Sequence, residues 1–303
     1  MTSKLPKKAI FSIALVNYKS LELTKTCLHL LHEALQGKGV PVVVVDNNSN
    51  DASSDYLKTL NWINLVERKN TTPEAGSIAH GRALDLALDV VDTEYLFLLH
   101  TDTFIYDPNI FSMMIGLCTD QREVAAVGCL EQLDRGIVRS AWRMASRFFK
   151  HYTRRSLLAI GVKARTPKPY RENHLKSFCT LWNVHLIKKH GLHFQMDDRN
   201  PGYELQDRMA ALNYKIRLIS PRKIFRYLDH IQSGTVSAMG GYSDNHRRVK
   251  MYHQITQEKA FSAHSVDSKI TYYQCSKQKL LGGATIMKLR LLISKHFRKH
   301  RTH

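Results

Sequence analysis

The sequence predicts an α/β fold: an open, mainly parallel sheet with helices on both faces. Three observations carry the prediction. Residues 9–17, 42–45 and 95–99 are apolar runs of strand length. They are too continuous to be half-exposed, so they read as strands buried on both faces. Segments of helical apolar period separate them, an order that implies parallel strands with right-handed crossovers. Each run also ends in a cluster of polar residues, where open α/β sheets bind their ligands.

The elements follow in order. Residues 9–17 form the first strand. Ser20 is placed as an N-cap, and Leu21, Leu23, Cys27, Leu28, Leu30, Leu31 and Leu35 make an amphipathic helix that ends at Gly37 and Gly39. Val42 to Val45 is a β-branched run suited to a central strand, and 46–51 is a dense turn signal. A short helix is expected at 52–60, a strand at 63–67, a polar loop at 68–76 and a helix at 77–90. The run from Tyr95 to Leu99 is the fourth strand and stops at His100-Thr101-Asp102-Thr103. A helix at 109–118 and a fifth strand at 124–129 follow.

The texture then changes. Residues 135–171 are rich in Arg, Lys and aromatic side chains and read as a basic, partly helical insertion. Strand and helix character returns at 178–187. A helix is expected at 203–212, closed by Asn213 in a left-handed conformation. Strands are expected at 214–219 and 224–228, the latter running into Asp229-His230. The division expected is a domain over 1–240, with a nucleotide-binding half at 9–106 and an acceptor half at 107–240. A helical, basic extension occupies 241–303.

Composition narrows the function classes. The chain has 303 residues, and 45 Lys and Arg against 26 Asp and Glu give a formal net charge of +19. That surplus suits phosphate-bearing substrates, nucleic acid or anionic lipid. No apolar run reaches the roughly 20 residues that span a bilayer, and no signal peptide is recognised. The five cysteines are scattered without CxxC spacing, which argues against a disulfide framework or a zinc site. A cytoplasmic protein is expected, peripheral on the inner face of the membrane. The tail after Gly283 carries Lys288, Arg290, Lys295, Arg298, Lys299 and Arg301 with no acidic residue, and it reads as a helix for an anionic membrane surface.

Four constellations carry candidate chemistry. Asp46, in Asp46-Asn47-Asn48-Ser49-Asn50-Asp51 at a strand end, can accept a hydrogen bond from a base N–H or a ribose hydroxyl; a turn with a helix cap is the alternative. Asp102 can hold a divalent cation, Mn²⁺ or Mg²⁺, against a diphosphate, or cap the next turn. His100 beside it is a metal ligand, a phosphate donor or a strand-end residue, and the last two are favoured. Glu204 and Asp207 share a helix face, and a carboxylate there can take the proton of an attacking hydroxyl. Such residues also serve the helix dipole and i,i+4 pairs, here with Arg208. Asp197 and Asp198 just upstream are further candidates for the base. His230 can complete a metal shell or be structural. His80 and Arg82 open a helix after Gly76 and can approach phosphate.

Taken together these stretches resemble glycosyltransferase family 2. The likeness covers roughly 9–235 and rests on Ile-Ala-Leu-Val-Asn-Tyr-Lys-Ser at 13–20, Val-Val-Asp-Asn-Asn-Ser-Asn-Asp at 44–51, the strand ending in Thr101-Asp102-Thr103, and Tyr-Glu-Leu-Gln-Asp-Arg-Met-Ala-Ala-Leu-Asn-Tyr-Lys-Ile at 203–216. The resemblance implies a GT-A fold. It implies a nucleotide site at Val16, Asn17, Tyr18, Asp46, Asn48, Asp51, Gly76, His80 and Thr101, with Asp46 on the donor base. It also implies a metal at Asp102 and His230, and a base at Glu204 or Asp207. The sequence departs from the family pattern in three places. His100 stands for the first Asp of the Asp-x-Asp signature, Pro201-Gly202 for a Glu-Asp pair, and Asn213 for a glycine.

The function expected is inverting transfer of a sugar from a nucleoside-diphosphate sugar, a UDP-sugar being favoured, to a hydroxyl of a glycan or lipid-linked acceptor in cell-surface polysaccharide synthesis. The rivals are a catalytically degenerate GT-A scaffold that binds nucleotide sugar, and a basic nucleic-acid-binding protein. Nucleic acid is disfavoured, because the basic residues gather in an insertion and a tail and no binding-domain motif is recognised.

Overall fold

The computed structural model describes residues 9–236, apart from 71, 73, 121, 122, 134, 135, 168 and 233–235. The chain opens with β1 (Phe11–Asn17), α1 (Leu21–Leu35), β2 (Val42–Asn47), α2 (Ala52–Lys58), β3 (Asn64–Arg68), α3 (Gly76–Val90) and β4 (Tyr95–His100). It continues with β5 (Thr103–Ile105), α4 (Asn109–Thr119), β6 (Val124–Gly128), α5 (Gly136–Ala159), β7 (Cys179–Asn183), α6 (Val184–Lys189), α7 (Tyr203–Ala211), β8 (Lys215–Leu218), α8 (Pro221–Ile224) and β9 (Leu228–His230). The extension expected at 241–303, with its basic helix, lies outside the described residues.

The main sheet has the order β3-β2-β1-β4-β7-β6-β8. β1 pairs in parallel with β2 and β4, and β2 with β3. The fold is therefore α/β with a GT-A-like, mostly parallel sheet. β1 and β2 are buried along their whole length, as their unbroken apolar runs require, because helices cover both faces. β7 enters antiparallel between β4 and β6. Its Trp182 packs edge-on against Phe194, with ring centroids 5.5 Å apart.

The register aligns the functional ends. Asn17 lies opposite Asp46, and Val16 opposite His100. The carboxyl ends of β1, β2 and β4 thus open on one edge, where the strand order turns outward on either side of β1. Gly81 in α3 answers a packing demand. A Cβ there would fall 2.2 Å from Gln195 Oε1, and this closeness lets Asp85 accept hydrogen bonds from the backbone N–H groups of Phe194 (2.6 Å) and Gln195 (3.1 Å).

Two details differ from the sequence reading. The strand expected at 224–228 begins only at Leu228, because Pro221 opens the short helix α8 after Ser220. Proline suits a first helical position, where its missing N–H costs nothing. Asp229 and His230 therefore lie inside β9 and not beyond its end. The second difference is a small antiparallel ribbon, β5 with β9, that the sequence did not announce. Asn213 does adopt the left-handed conformation, with φ 65°.

Candidate functional site

The β5–β9 ribbon makes the site. Asp102 ends the turn after β4, and Thr103 lies opposite His230 in the ribbon register. Ile231 N–H donates to the Asp102 carbonyl at 3.1 Å. These backbone bonds bring two residues far apart in sequence to the same point. Asp102 and His230 are both buried, at 5% and 2% exposure.

His230 Nδ1 lies 3.1 Å from the Gln132 carbonyl. A carbonyl only accepts, so Nδ1 carries a proton, and in the tautomer this selects Nε2 presents a lone pair. That Nε2 stands 3.1 Å from Asp102 Oδ1, yet the approach lacks hydrogen-bond geometry and leaves the buried nitrogen without a hydrogen-bond partner. Two acceptor atoms facing each other at this distance repel unless a cation lies between them. Donors bound at about 2.1 Å and roughly at right angles to one another are separated by about 3 Å, so the pair fits a divalent ion. His100 joins them. Its Nε2 shares a 2.8 Å hydrogen bond with Ser177 Oγ, and its Nδ1 turns to Asp102 Oδ1 at 3.8 Å. The donor atoms of His100, Asp102 and His230 lie within 4.8 Å of one another. Burial pulls His100 down to about 3 and His80 to about 4, so both rings are neutral donors at physiological pH.

A cavity of about 900 Å³ spreads from this cluster toward β2 and β3. Of the nucleotide residues nominated from sequence, Val16, Tyr18, Asn48, Gly76, His80 and Thr101 line it, as do Asp102 and His230. Asn17, Asp46 and Asp51 are not on its wall. Asp46 faces inward as a buried hub: Oδ1 accepts from Asn17 Nδ2 (2.8 Å) and Ser49 Oγ (2.6 Å), and Oδ2 from Ser54 Oγ (2.7 Å). Asn17 also accepts from Thr24 Oγ1 at 2.8 Å, which ties β1, β2, α1 and α2 together. Asp51 caps α2 through Ser53 N–H at 2.9 Å. Toward β2 and β3 the cavity's polar wall includes Asn47, Asn48 and Arg68. Arg68 donates to Asn47 Oδ1 at 2.8 Å and to Glu74 Oε2 at 2.6 Å, so its guanidinium is held in place.

A second cavity of about 410 Å³ adjoins the first through His80 and Gln132. It is walled by Glu131, Arg143, Glu172, Lys176, Ser177 and Tyr203, among others. Glu204 and Asp207 do not line it. They belong to an ion-pair network on α7: Glu204 with Arg199 at 2.6 Å and Arg208 at 2.9 Å, and Asp207 with His174 at 2.9 Å and Arg199 at 2.7 Å. Hydrogen bonds from Arg208 and Arg199 hold Glu204 below the usual carboxylate range. For Asp207, burial works upward, but the bonds from His174 and Arg199 prevail and its pKa is also lowered. Glu172 is pressed to about 2: burial raises it, and hydrogen bonds from Lys176 and Arg147 outweigh that.

The sequence reading missed Glu131, Gln132, Ser177 and Arg68. Glu131 and Gln132 follow the carboxyl end of β6, and Arg68 ends β3. The strand-end rule that selected Asp102 would have found these three. Ser177 sits before β7 and carries no such signal. The four described cysteines, Cys27, Cys118, Cys129 and Cys179, are free and buried, and no described helix is long and apolar enough to cross a membrane.

No protein-family model matches the chain, and no curated protein is similar to it. Solved structures are similar to it in shape. A mannosyltransferase from Pyrobaculum calidifontis, determined with GDP-mannose and Mn²⁺, shares 12% identity over 98% of this chain and 82% of its own, with a TM-score of 0.50. TarS of S. aureus (residues 1–349) shares 16% over 84% and 73%, at 0.48. Glucosyl-3-phosphoglycerate synthase from Mycobacterium tuberculosis shares 14% over 71% and 69%, at 0.45. At such identities the mannosyltransferase likeness speaks for the fold, which is of the GT-A type.

Proposed function

We propose that the protein transfers a sugar from a nucleoside-diphosphate sugar to an acceptor hydroxyl with inversion. One observation carries this reading: the orphaned His230 Nε2 faces Asp102 Oδ1 at 3.1 Å at the carboxyl end of β4, between a cavity of nucleotide size and a smaller polar one. That a protein of the same fold was solved with GDP-mannose and Mn²⁺ supports it. In this reading the nucleoside lies along Tyr18, Asn48 and Arg68, and the diphosphate reaches Thr101 and Asp102.

Asp102 and His230 would hold the divalent ion, with His100 at its side. Bound there, it would neutralise charge on the departing diphosphate. Two imidazoles with one carboxylate suit Mn²⁺ better than the harder Mg²⁺. The chain's own groups do the rest. The acceptor hydroxyl enters the smaller cavity and its oxygen attacks the anomeric carbon. The bond from that carbon to the diphosphate oxygen breaks, and the hydroxyl proton passes to a carboxylate. Glu131 is the carboxylate we assign to that step, because it lines the cavity, where Arg143 pairs with it, while Glu204 and Asp207 line neither cavity. The acceptor is a glycan or lipid-linked glycan.

Calorimetric titration with UDP- and GDP-sugars, with and without Mn²⁺, tests binding; nucleotide release in the presence of acceptor tests turnover. Binding that survives Asp102→Asn unchanged in Mn²⁺ would overturn the site. Tight donor binding with no release under any acceptor would favour the degenerate scaffold. Loss of a general base lowers turnover roughly 10²- to 10⁴-fold. That loss is expected for Glu131→Gln and not for Glu204→Gln, and the reverse result would return the base to α7.

A further inference from the structure

α5 is an amphipathic helix mounted the wrong way round for a soluble protein. It runs for 24 residues with six Arg or Lys and no acidic residue, about 36 Å of helix at 1.5 Å per residue. At 100° per residue its large apolar side chains up to Tyr152 fall on one arc, and Arg139, Arg143, Arg147, Lys150 and Arg154 fall on the opposite one. The basic arc is the side turned to the body. Arg143 pairs with Glu131 and, at 3.6 Å, with Glu172; Arg147 pairs with Glu172 at 2.5 Å. The apolar arc faces outward. Val138 is 81% exposed, Trp142 75% and Phe149 69%, and Ile137, Met144 and Tyr152 are exposed beside them. No residue of the helix is buried. A contiguous apolar face of this kind marks a surface that meets another phase or another molecule.

We infer that α5 docks the protein on an anionic lipid surface, with its apolar face in the boundary between headgroups and acyl chains. Charge selects this occupant. A second copy of the helix would bring a cationic partner against a cationic helix, and so would the chain's own tail after Gly283, which has basic residues and no acidic one. Anionic headgroups instead complement Arg155, exposed on the apolar side, and Arg139 and Lys150, exposed at the edge of the basic arc nearest Trp142. Nucleic acid is a poor occupant, since Arg143 and Arg147 are engaged by carboxylates and the outward face is Trp, Phe, Val and Ile. Aromatic residues with basic neighbours are what interfacial helices present to headgroups.

The docking places chemistry at the membrane. Arg143 and Glu172, which seat the helix, also line the smaller cavity with Glu131 and Tyr203. A protein seated through α5 therefore brings that cavity to the bilayer surface. On the glycosyl-transfer reading, from which this last step follows, the acceptor is presented from the lipid.

Flotation of the full chain with vesicles of phosphatidylcholine and phosphatidylglycerol, against phosphatidylcholine alone, tests the inference. The chain should float with the anionic vesicles, and the double substitution W142E and F149E should lower partition about tenfold or more. Trp142 emission should shift to the blue on binding, a shift that Trp142→Phe removes while Trp62 and Trp182 remain. Unchanged partition of the double variant, or no shift from Trp142, overturns the inference. So would a dimer in sedimentation, or oligonucleotide binding, that the double variant abolishes while vesicles fail to bind. Titration of donor and Mn²⁺ into the same variants reports the Asp102 site separately. Lost flotation with intact donor binding therefore counts for the helix, and lost donor binding in the unmodified chain counts against the transferase reading alone.

Discussion

The parallel sheet and α5 answer the same hydrophobic drive in opposite ways. In β4, Phe97 is fully buried between Phe11 and Phe111, with centroids at 5.2 and 5.0 Å. In α5, Phe149 is more exposed than buried. The sheet is held by apolar burial, which charge screening does not weaken. The helix is held to the body through Arg143, Arg147, Glu131 and Glu172, which salt screens. The lesson is that one chain contains a region whose stability is internal and a region whose apolar surface is offered outward.

The largest test of that contrast is mutational. Phe97→Ala should cost about 3–5 kcal/mol in denaturant unfolding, whereas Phe149→Ala should change stability by no more than about 0.5 kcal/mol. A comparable loss at Phe149 would mean that α5 is part of the core after all. Next comes the metal. At 100 times its dissociation constant, Mn²⁺ should stabilise the chain by about 2.7 kcal/mol, and Asp102→Asn should remove that gain while Phe149→Ala leaves it intact. Thermal unfolding with and without the ion reads both.

The smaller effects concern how the helix is seated. Glu172→Gln should cost about 1 kcal/mol and make residues 136–159 more susceptible to limited proteolysis. Raised salt should do the same to the unmodified chain without moving the main unfolding transition. Protection of 136–159 that ignores salt would show that charge does not hold the helix. The pH dependence has a definite sign. Glu172 titrates at about 2 in the fold against an ordinary 4.5. Its contribution is therefore complete above pH 4.5 and is lost as pH falls from there toward 2. Proteolysis of the α5 segment should follow that window, and Glu172→Gln should flatten the dependence.

Much of the fold was legible because strand burial writes itself into composition. The runs at 42–45 and 95–99 can only be central strands, and the turn at 46–51 can only end one. Asp102 was legible as a candidate for a related reason, since strand ends in such sheets point at ligands; His230, which lies inside β9 of the small ribbon, was a candidate through the family resemblance. The β5–β9 ribbon was not legible, because three-residue strands carry no periodicity. The antiparallel entry of β7 was not either, because an apolar run does not state its direction. Asp46 shows the limit at the level of one side chain. A carboxylate at a strand end can face a ligand or face inward, and here Asn17, Ser49 and Ser54 claim it.

The sequence by itself determined that residues 9–128 would wind into a mostly parallel sheet, and that the segment at 135–171 would be basic and aromatic. Those are local and compositional facts, carried by periodicity, β-branching and charge. Only the tertiary structure decided that His230 would meet Asp102, since a ribbon between distant segments brings them together. It alone decided that Glu204 and Asp207 would line neither cavity, while Glu131, paired with Arg143, would line the smaller one. The same holds for which face of α5 looks outward. An amphipathic pattern states that a helix has two sides, and the position of Glu131 and Glu172 on the body determines which of them is turned to solvent.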